Sequence, residues 1–413
     1  MIHVIVAGGG IGGLCLAQGL RRSGVSVTVY ERDNTPDARL QGYRLNIEPV
    51  GSAALHECLP AELWETLMLT GGDPGPGMGV LDEHLNELML ERGAQAADPA
   101  DSTHSLSRAT LRAVLLTGLD VRFGKELVRY ERTAAGKVVA HFADGDTAIG
   151  DVLVGADGVR SRVRRQLLPH AETAAAPGVG IGGRLPLTEE TERWLDPRLA
   201  TRKNLVLPVR DFLFTAVFRR RNKPHEAEAR IAGLGLDPEL LTRGAADQDY
   251  VMWAFVAHRR HYAGEPRAFV EQRIADWHPV LRRLVRESEA VERFDFTAMA
   301  KVRPWPSTNV TLLGDAIHAM PPVGGMGGNA ALHDARLLCR ALTDVDQGRA
   351  ELVPAIAAYE SEMLKAGFAA VSESMRYLWL AILPSRSVRA IARCFFRLCG
   401  LVPPLRRAVF QDE

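Results

Sequence analysis

Six residues near the start, Gly8-Gly9-Gly10-Ile11-Gly12-Gly13, constrain this chain more than any others. An apolar run, Ile2 to Ala7, leads into them. A helical stretch, Leu14 to Arg22, leaves them, and a second apolar run, Val25 to Tyr30, ends in Glu31. Strand, G-x-G-x-x-G, helix, strand and acid together make the dinucleotide-binding βαβ unit. Gly8 permits a tight turn, Gly10 lets backbone approach a pyrophosphate, and Gly13 lets helix and strand pack closely. Gly12 belongs to the same cradle, and the helix start offers free N–H groups and a positive dipole end. Glu31, with Arg32 beside it, stands about 20 residues on, where a carboxylate can accept ribose hydroxyls. The motif by itself does not separate FAD from NAD.

The 413 residues suggest two or three domains or subdomains. Fifty basic residues balance fifty acidic ones, so bulk charge gives no sign of a nucleic-acid partner. The local cluster Arg160-Ser161-Arg162-Val163-Arg164-Arg165 reads as a solvated helix face. Five scattered cysteines (Cys15, Cys58, Cys339, Cys394 and Cys399) lack metal-ligand spacing and read as reduced, mostly buried thiols of a cytoplasmic protein. The first residues carry no basic segment of a signal peptide, and no run reaches the ~18 apolar residues of a membrane-spanning helix.

Short strands are predicted at 121–123, 126–131, 138–142 and 151–154, and a helix over 107–116. Residues 78–90 can pair as a hairpin after the Gly/Pro-dense break at 71–77. From about 171 to 275, alternating and aromatic runs (181–184, 204–209, 212–218 and 250–257) predict a mostly antiparallel sheet, a plausible wall for an apolar ligand. Helices dominate from Ala330 onward. Met375 to Leu401 is apolar with interspersed arginines. It reads as a helix pair packed on the protein or on a second subunit, with an amphipathic helix on a membrane surface as the alternative.

Two further segments resemble the first in kind. Asp151 to Ser161 is a strand ending in Gly155-Ala156-Asp157-Gly158. Thr311 to His318 is a strand ending in Gly314-Asp315, which runs on through Pro321-Pro322 to Gly327-Gly328-Asn329, with Asp334 following. Three such motifs in this order, about 150 residues apart, resemble the group A FAD-dependent aromatic monooxygenases, with the p-hydroxybenzoate hydroxylase-like fold. The resemblance covers about residues 1 to 340. It implies an α/β fold: a Rossmann-like FAD-binding domain, a mostly antiparallel β-sheet substrate domain and a helical C-terminus. The expected division is 1–75, 101–170 and 276–340 for FAD, 76–100 and 171–275 for substrate, and 341–413 for C-terminal helices.

By the same resemblance, the first glycine motif holds the ADP half of FAD. Asp157 touches the FAD and NAD(P)H regions, Asp315 binds the ribityl chain, and Arg44 (in Gly42-Tyr43-Arg44-Leu45) and Arg108 (in Ser-Arg-x-x-Leu-Arg-x-x-Leu) contact the cofactor. Gly314 turns the chain into Asp315. Gly327, Gly328 and Asn329 open a helix whose N–H groups can face the flavin pyrimidine, and the carbonyl of Pro322 lies near C4a. Met326 stands where a polar residue is frequent in the family. Read on their own, Asp157 and Asp315 can simply cap helices, and His318 more often bonds locally than catalyses. Arg184 suits either a ligand or a surface ion pair.

The resemblance implies this reaction: NADPH or NADH, bound transiently, reduces FAD, O2 adds at C4a, and the hydroperoxide hands one oxygen atom to an aromatic or polycyclic substrate by hydroxylation or epoxidation. Arg184, Phe212, Phe214, Trp253 and Phe255 are the substrate-side candidates. No metal or nucleophile triad is expected. The same fold also serves reductases or dehydrogenases and halogenases, although the Trp-x-Trp-x-Ile-Pro motif of tryptophan halogenases is absent from this sequence. A flavoprotein that binds ligand without turnover is the reading from a different class. A monomer or homodimer is expected, and the size suits secondary-metabolite tailoring.

Overall fold

The structure is a computed structural model that describes residues 1–36, 44–92, 96–242, 249–383 and 385–410. In chain order its strands are β1 (His3–Ala7), β2 (Ser26–Tyr30), β3 (Arg44–Ile47), β4 (Met78–Leu81), β5 (Glu87–Glu91) and β6 (His104–Ser107). Then come β7 (Val121–Arg122), β8 (Leu127–Arg132), β9 (Val138–Phe142), β10 (Thr147–Gly150) and β11 (Val152–Gly155). The remainder are β12 (Thr173–Pro186), β13 (Lys203–Val206), β14 (Phe212–Phe218), β15 (Tyr250–His258), β16 (Glu289–Met299) and β17 (Val310–Leu312).

Five of them form a parallel sheet in the order β17-β11-β1-β2-β7. Its central strands are β-branched and leucine-rich because both faces are covered: Val4, Ile5 and Val6 of β1 and Val152, Leu153 and Val154 of β11 are fully buried. The helix Ile11–Arg22 returns from β1 to β2, and the helix Met326–Asp346 packs beside it. A small antiparallel sheet, β8 to β10, attaches to this unit, and β3 pairs with β6.

The second large sheet has seven strands in the order β16-β12-β15-β14-β13-β4-β5. It is antiparallel except where β13 runs parallel to β4. One face is closed by the helices Pro266–Arg273 and Pro279–Glu287, whose Phe269, Leu281 and Leu284 meet Leu213, Val251, Trp253 and Phe255 of the sheet. This corrects the expected division at 276. The helix Pro279–Glu287 and β16 belong with the seven-stranded sheet, because β16 runs antiparallel along β12 from Glu289 to Met299. The chain rejoins the parallel sheet only at β17.

The C-terminal helices Leu352–Ile382 and Arg386–Leu401 pack on the seven-stranded sheet. Leu378, Ala381 and Ile382 pack on Val256 and Phe296, and Cys399 packs on Val80, Leu88 and Met89. No helix among the described residues is long and apolar enough to cross a membrane. The five cysteines are free thiols; Cys394 is exposed and the other four are buried.

Candidate active site

The C-terminal ends of β1, β2, β11 and β17 open on one edge of the parallel sheet, where such folds bind ligands. Each strand delivers one of the predicted segments there. Gly8 adopts φ +113°, and a Cβ on it would stand 2.3 Å from the Ala156 carbonyl oxygen, so the two loops cross in contact. Gly13 is equally tight, with a Cβ position 2.4 Å from the Gly8 carbonyl oxygen. Gly12 acts in packing: its Cβ position meets Leu313 and Ala331, which draws the helix Ile11–Arg22 onto its neighbours. Gly10 differs from all three. Among the described residues no atom lies within 4 Å of its Cβ position, so an open space stands directly over the helix start.

Glu31 is buried, and its carboxylate accepts the N–H of Gly9 at 2.6 Å and that of Asp33 at 2.9 Å. It therefore shapes the glycine turn, and each oxygen keeps a lone pair for a further donor. Arg32 is exposed. Arg112, a member of the predicted Ser-Arg-x-x-Leu-Arg-x-x-Leu segment but not singled out, donates to the carbonyls of Gly9 (3.3 Å) and Pro36. It closes the same turn from the other side. Arg108 begins the helix Arg108–Leu116, is exposed, and acts electrostatically on Asp315.

Asp157 does cap a helix. One carboxylate oxygen accepts the N–H groups of Arg162 (2.6 Å) and Val163 (3.3 Å) at the start of the helix Arg162–Leu167. The other oxygen is buried with no hydrogen-bond partner among the described residues, an acceptor left open beside the glycine turn. Arg164 corrects the reading of its cluster as a solvated face. It is buried and donates to the carbonyls of Ala171, Ala316 and Val159, which ties the Asp157 loop to the Asp315 loop. Burial lowers its pKa while Asp157 opposes that shift. A buried guanidinium satisfied by backbone carbonyls has no sequence signature apart from its neighbours.

Gly314 takes φ +60° and hands the chain to Asp315. The Asp315 side chain reaches solvent yet is enclosed by protein on most sides. This desolvation raises its pKa against the pull of His318 and Arg108. Behind it, His318 Nε2 lies 2.6 Å from Asp334 Oδ2, which also accepts the Gly314 N–H at 2.9 Å. Both side chains are buried. His318 thus bonds locally, as expected, and Asp334 emerges as the anchor of the loop.

The helix Met326–Asp346 starts from Gly325 in the left-handed region, with no side-chain cap on its first turn. At Gly327 the nearest atoms to a Cβ position are Met320 Cγ (3.7 Å) and Asp315 Oδ1 (3.8 Å), so this helix start opens beside Asp315. Gly328 approaches Ile11. The Asn329 side chain is held within the protein: its amide nitrogen donates to the carbonyls of Asn46 and Gly325, and its oxygen accepts the Glu48 N–H. It is a brace between β3 and the helix start. Pro322 is exposed, and its carbonyl accepts the Gly325 N–H at 3.3 Å. Ser374 of the long helix donates to the Pro321 carbonyl at 2.7 Å and holds that turn. Arg44 is buried, donates to Ser105 Oγ at 2.8 Å, and is brought down to about 10 by burial, with Tyr250 opposing. Gly42 and Tyr43 of its motif lie outside the described residues.

On the substrate side, side chains alternate between the two faces of the sheet. Trp253 was expected to line the ligand space and does not. It is fully buried on the helix-covered face, and its Nε1–H donates to Ser288 Oγ at 2.8 Å. Phe255 shares that face. The opposite face carries Met252 and Ala254, with Phe214 directly across from Ala254, Phe212 across from Val256 and Arg184 across from Met252. Phe212, Phe214, Met252, Ala254 and Arg184 are each half-buried, whereas their strand neighbours on the helix side are buried. Leu205 pairs with Phe214, which puts Lys203, two residues earlier, on the same face. Lys203 Nζ lies 3.2 Å from Asn46 Oδ1, and the Asn46 carbonyl receives Asn329. This chain of bonds links the sheet face to the helix start at Met326. Burial lowers the Lys203 pKa, and the nearby Arg44 adds to the effect.

These features fit FAD. They supply an open space over one helix start, an uncapped second helix start, an unpartnered carboxylate oxygen and an enclosed but accessible carboxylate. Two family models match the chain: an NAD(P)-binding Rossmann-like domain over residues 6–65 and an FAD binding domain over 209–374. The chain is 30% identical to the FAD-dependent monooxygenase cctM of Talaromyces islandicus, over 90% of this chain and 91% of that protein. It is also 30% identical to the dual O-methyltransferase/FAD-dependent monooxygenase elcB of Phaeosphaeria nodorum, over 91% of this chain but 45% of that protein. It therefore spans about half the length of such two-function relatives. Among solved structures, a Photorhabdus luminescens protein described as an FAD-containing monooxygenase superposes with a TM-score of 0.81 at 33% identity, covering 93% of this chain and 99% of that one.

Proposed function

The chain belongs to the family of FAD-dependent monooxygenases, and on that premise we propose that it uses NAD(P)H and O2 to hydroxylate or epoxidise an aromatic or polyketide-like small molecule. The observation that carries this reading is the half-buried face of the seven-stranded sheet, joined through Lys203, Asn46 and Asn329 to the helix start beside Asp315. Bound FAD supplies hydride acceptance and oxygen activation at C4a. The protein supplies the rest. The space over Gly10 and the adjoining helix start would receive the pyrophosphate, Glu31 would accept ribose hydroxyls, and Asp315 would accept hydroxyls of the ribityl chain. Arg44, Arg108 and Asp157 complete the cofactor side. The N–H groups of Gly327 and Gly328, at the uncapped helix start, would hold the flavin pyrimidine, since the helix dipole favours negative charge there. Phe212, Phe214 and Met252 give the half-buried face an apolar wall that would keep water from the reacting face.

Lys203 takes the role of substrate cation. A ring hydroxyl that gives up its proton makes the ring richer in electrons, and an ammonium in a half-buried site holds the resulting oxyanion by a charge-assisted hydrogen bond. Lys203→Met is expected to raise KM about tenfold or more, since such a bond contributes about 1.5–3 kcal/mol. FAD content should be unchanged, because Lys203 is on the substrate wall. Steady-state kinetics with an aromatic substrate found by screening checks this. An unchanged KM would remove Lys203 from the site.

The test of the reading as a whole is the absorption spectrum followed by anaerobic NADPH and NADH titration, with and without aromatic ligands. A yellow protein whose reduction accelerates with a ligand, and whose product gains an oxygen atom from O2, is the expected result. A colourless protein that refuses added FAD would overturn it. NADH consumption without an oxygenated product would favour the ligand-sequestering reading instead.

A further inference from the structure

The C-terminal helix Arg386–Leu401 is fixed to the body by one face only. Arg389 donates to the carbonyls of Asp211 and Ala381. Arg393 donates to the Leu207 carbonyl and pairs with Glu83, and Gly400 sits close enough to Leu88 that a Cβ would meet its carbonyl oxygen at 2.5 Å. These anchors fix the rotation of the helix about its axis. The same rotation leaves Val388, Ile391, Phe395, Leu398 and Val402 turned outward, and Ile391 is 68% exposed. Their spacing of three and four residues is that of a single helical stripe. Just before it in the chain, Trp379 and Leu380 of the preceding helix are each about half exposed beside a shallow groove of about 430 Å³. Large apolar residues gathered on an exposed face mark an interaction surface.

Charge identifies the partner. From Met375 to Phe410 the sequence holds seven arginines and no aspartate, glutamate or lysine, although the whole chain is neutral. Some of these charges are matched by the body, through Glu373, Glu83 and Asp82. Arg386 nevertheless remains exposed, and Arg397 stays 56% exposed beside Asp82, both on the flank between the anchored face and the stripe. That is the distribution of a helix lying in a membrane interface: an apolar stripe sunk among acyl chains, and cations at the level of the lipid phosphates. We propose that the outward face of the helix Arg386–Leu401, together with Trp379 and Leu380, docks this protein on an anionic lipid bilayer surface without crossing it.

The test is flotation of the FAD-loaded full chain with vesicles of phosphatidylcholine alone and of phosphatidylcholine with about one third phosphatidylserine. The native protein should float with the phosphatidylserine vesicles, and less so as salt is raised. The double variant Ile391→Glu/Leu398→Glu should lose at least about tenfold in partitioning, and Arg386→Gln about fivefold. Both replace exposed side chains, so retained FAD absorbance reports an intact fold in the same sample. Equal partitioning of native and double-variant protein would overturn the proposal, as would native protein that stays with the buffer. A concentration-dependent dimer in sedimentation velocity, dissolved by Ile391→Glu, would also overturn it and assign the stripe to a second copy.

Discussion

Gly10→Val yields a folded protein that no longer holds FAD. Gly10 has φ −76° and ψ 170°, ordinary extended backbone, and no atom of the described residues lies within 4 Å of its Cβ position. The apoprotein therefore loses no contact and meets no clash, and its stability should stay within about 1 kcal/mol of native. The isopropyl group instead fills the space over the helix start, where the pyrophosphate must approach the free N–H groups. A displaced diphosphate loses several charge-assisted bonds together, so FAD affinity should fall at least about 100-fold, or about 2.7 kcal/mol. Gly8→Val provides the contrast. At φ +113°, and with its Cβ position 2.3 Å from a backbone oxygen, it should cost the apoprotein about 3 kcal/mol or more through strain and overlap. Thermal unfolding of the apoproteins and a fluorescence titration with FAD separate the two effects. Stoichiometric FAD in purified Gly10→Val would contradict the cofactor position.

What was legible in the sequence follows from the range of the interactions involved. The glycine turn, its strand and its acid lie within 30 residues, and each residue's role is fixed by its immediate neighbours. The segments ending in Asp157 and Asp315 were equally plain as strand ends. Facing was not legible where it depends on a partner strand. The run Tyr250 to Ala257 is apolar at every position, so nothing in it distinguishes Trp253, buried against helices, from Met252, half-buried on the opposite face. Lys203 carries no signal alone; only its pairing across from β14 puts it on the site face. The bonds of the Asn329 side chain and of Arg164 were not legible for a related reason: they go to backbone groups far along the chain, at Asn46 and Ala316, and a carbonyl acceptor has no residue type to read. The strand β16 was assigned to the wrong unit because its alternation is weak, and its long pairing with β12 is what places it.

Asp334→Ala should be the most destabilising single change near the site. Asp334 Oδ2 takes both the His318 ring N–H and the Gly314 N–H, and neither donor has water to turn to in a fully buried setting. Removing one member of a buried charged pair costs about 3–5 kcal/mol, because the remaining group stays buried without its partner. The long helix cannot relax to fill the gap easily, since its Gly367 already packs against the imidazole. The loss should depend on pH in a set direction. Burial pulls the His318 pKa down, but Asp334, with help from Asp315, outweighs it, and the net shift is upward. A group whose pKa is higher folded than unfolded holds its proton more tightly in the native state. Its stabilisation is complete below the unfolded value of about 6.5 and fades as pH rises through the folded value. The gap in unfolding free energy between native and Asp334→Ala protein should therefore be widest near pH 5 and narrow towards about pH 9. The Gly314 bond contributes at every pH, so the gap should not close. Denaturant unfolding of both apoproteins across that range measures it, and a His318→Asn/Asp334→Ala cycle isolates the pair. A gap that stays flat with pH would mean that His318 is neutral in the fold and that Asp334 serves Gly314 alone.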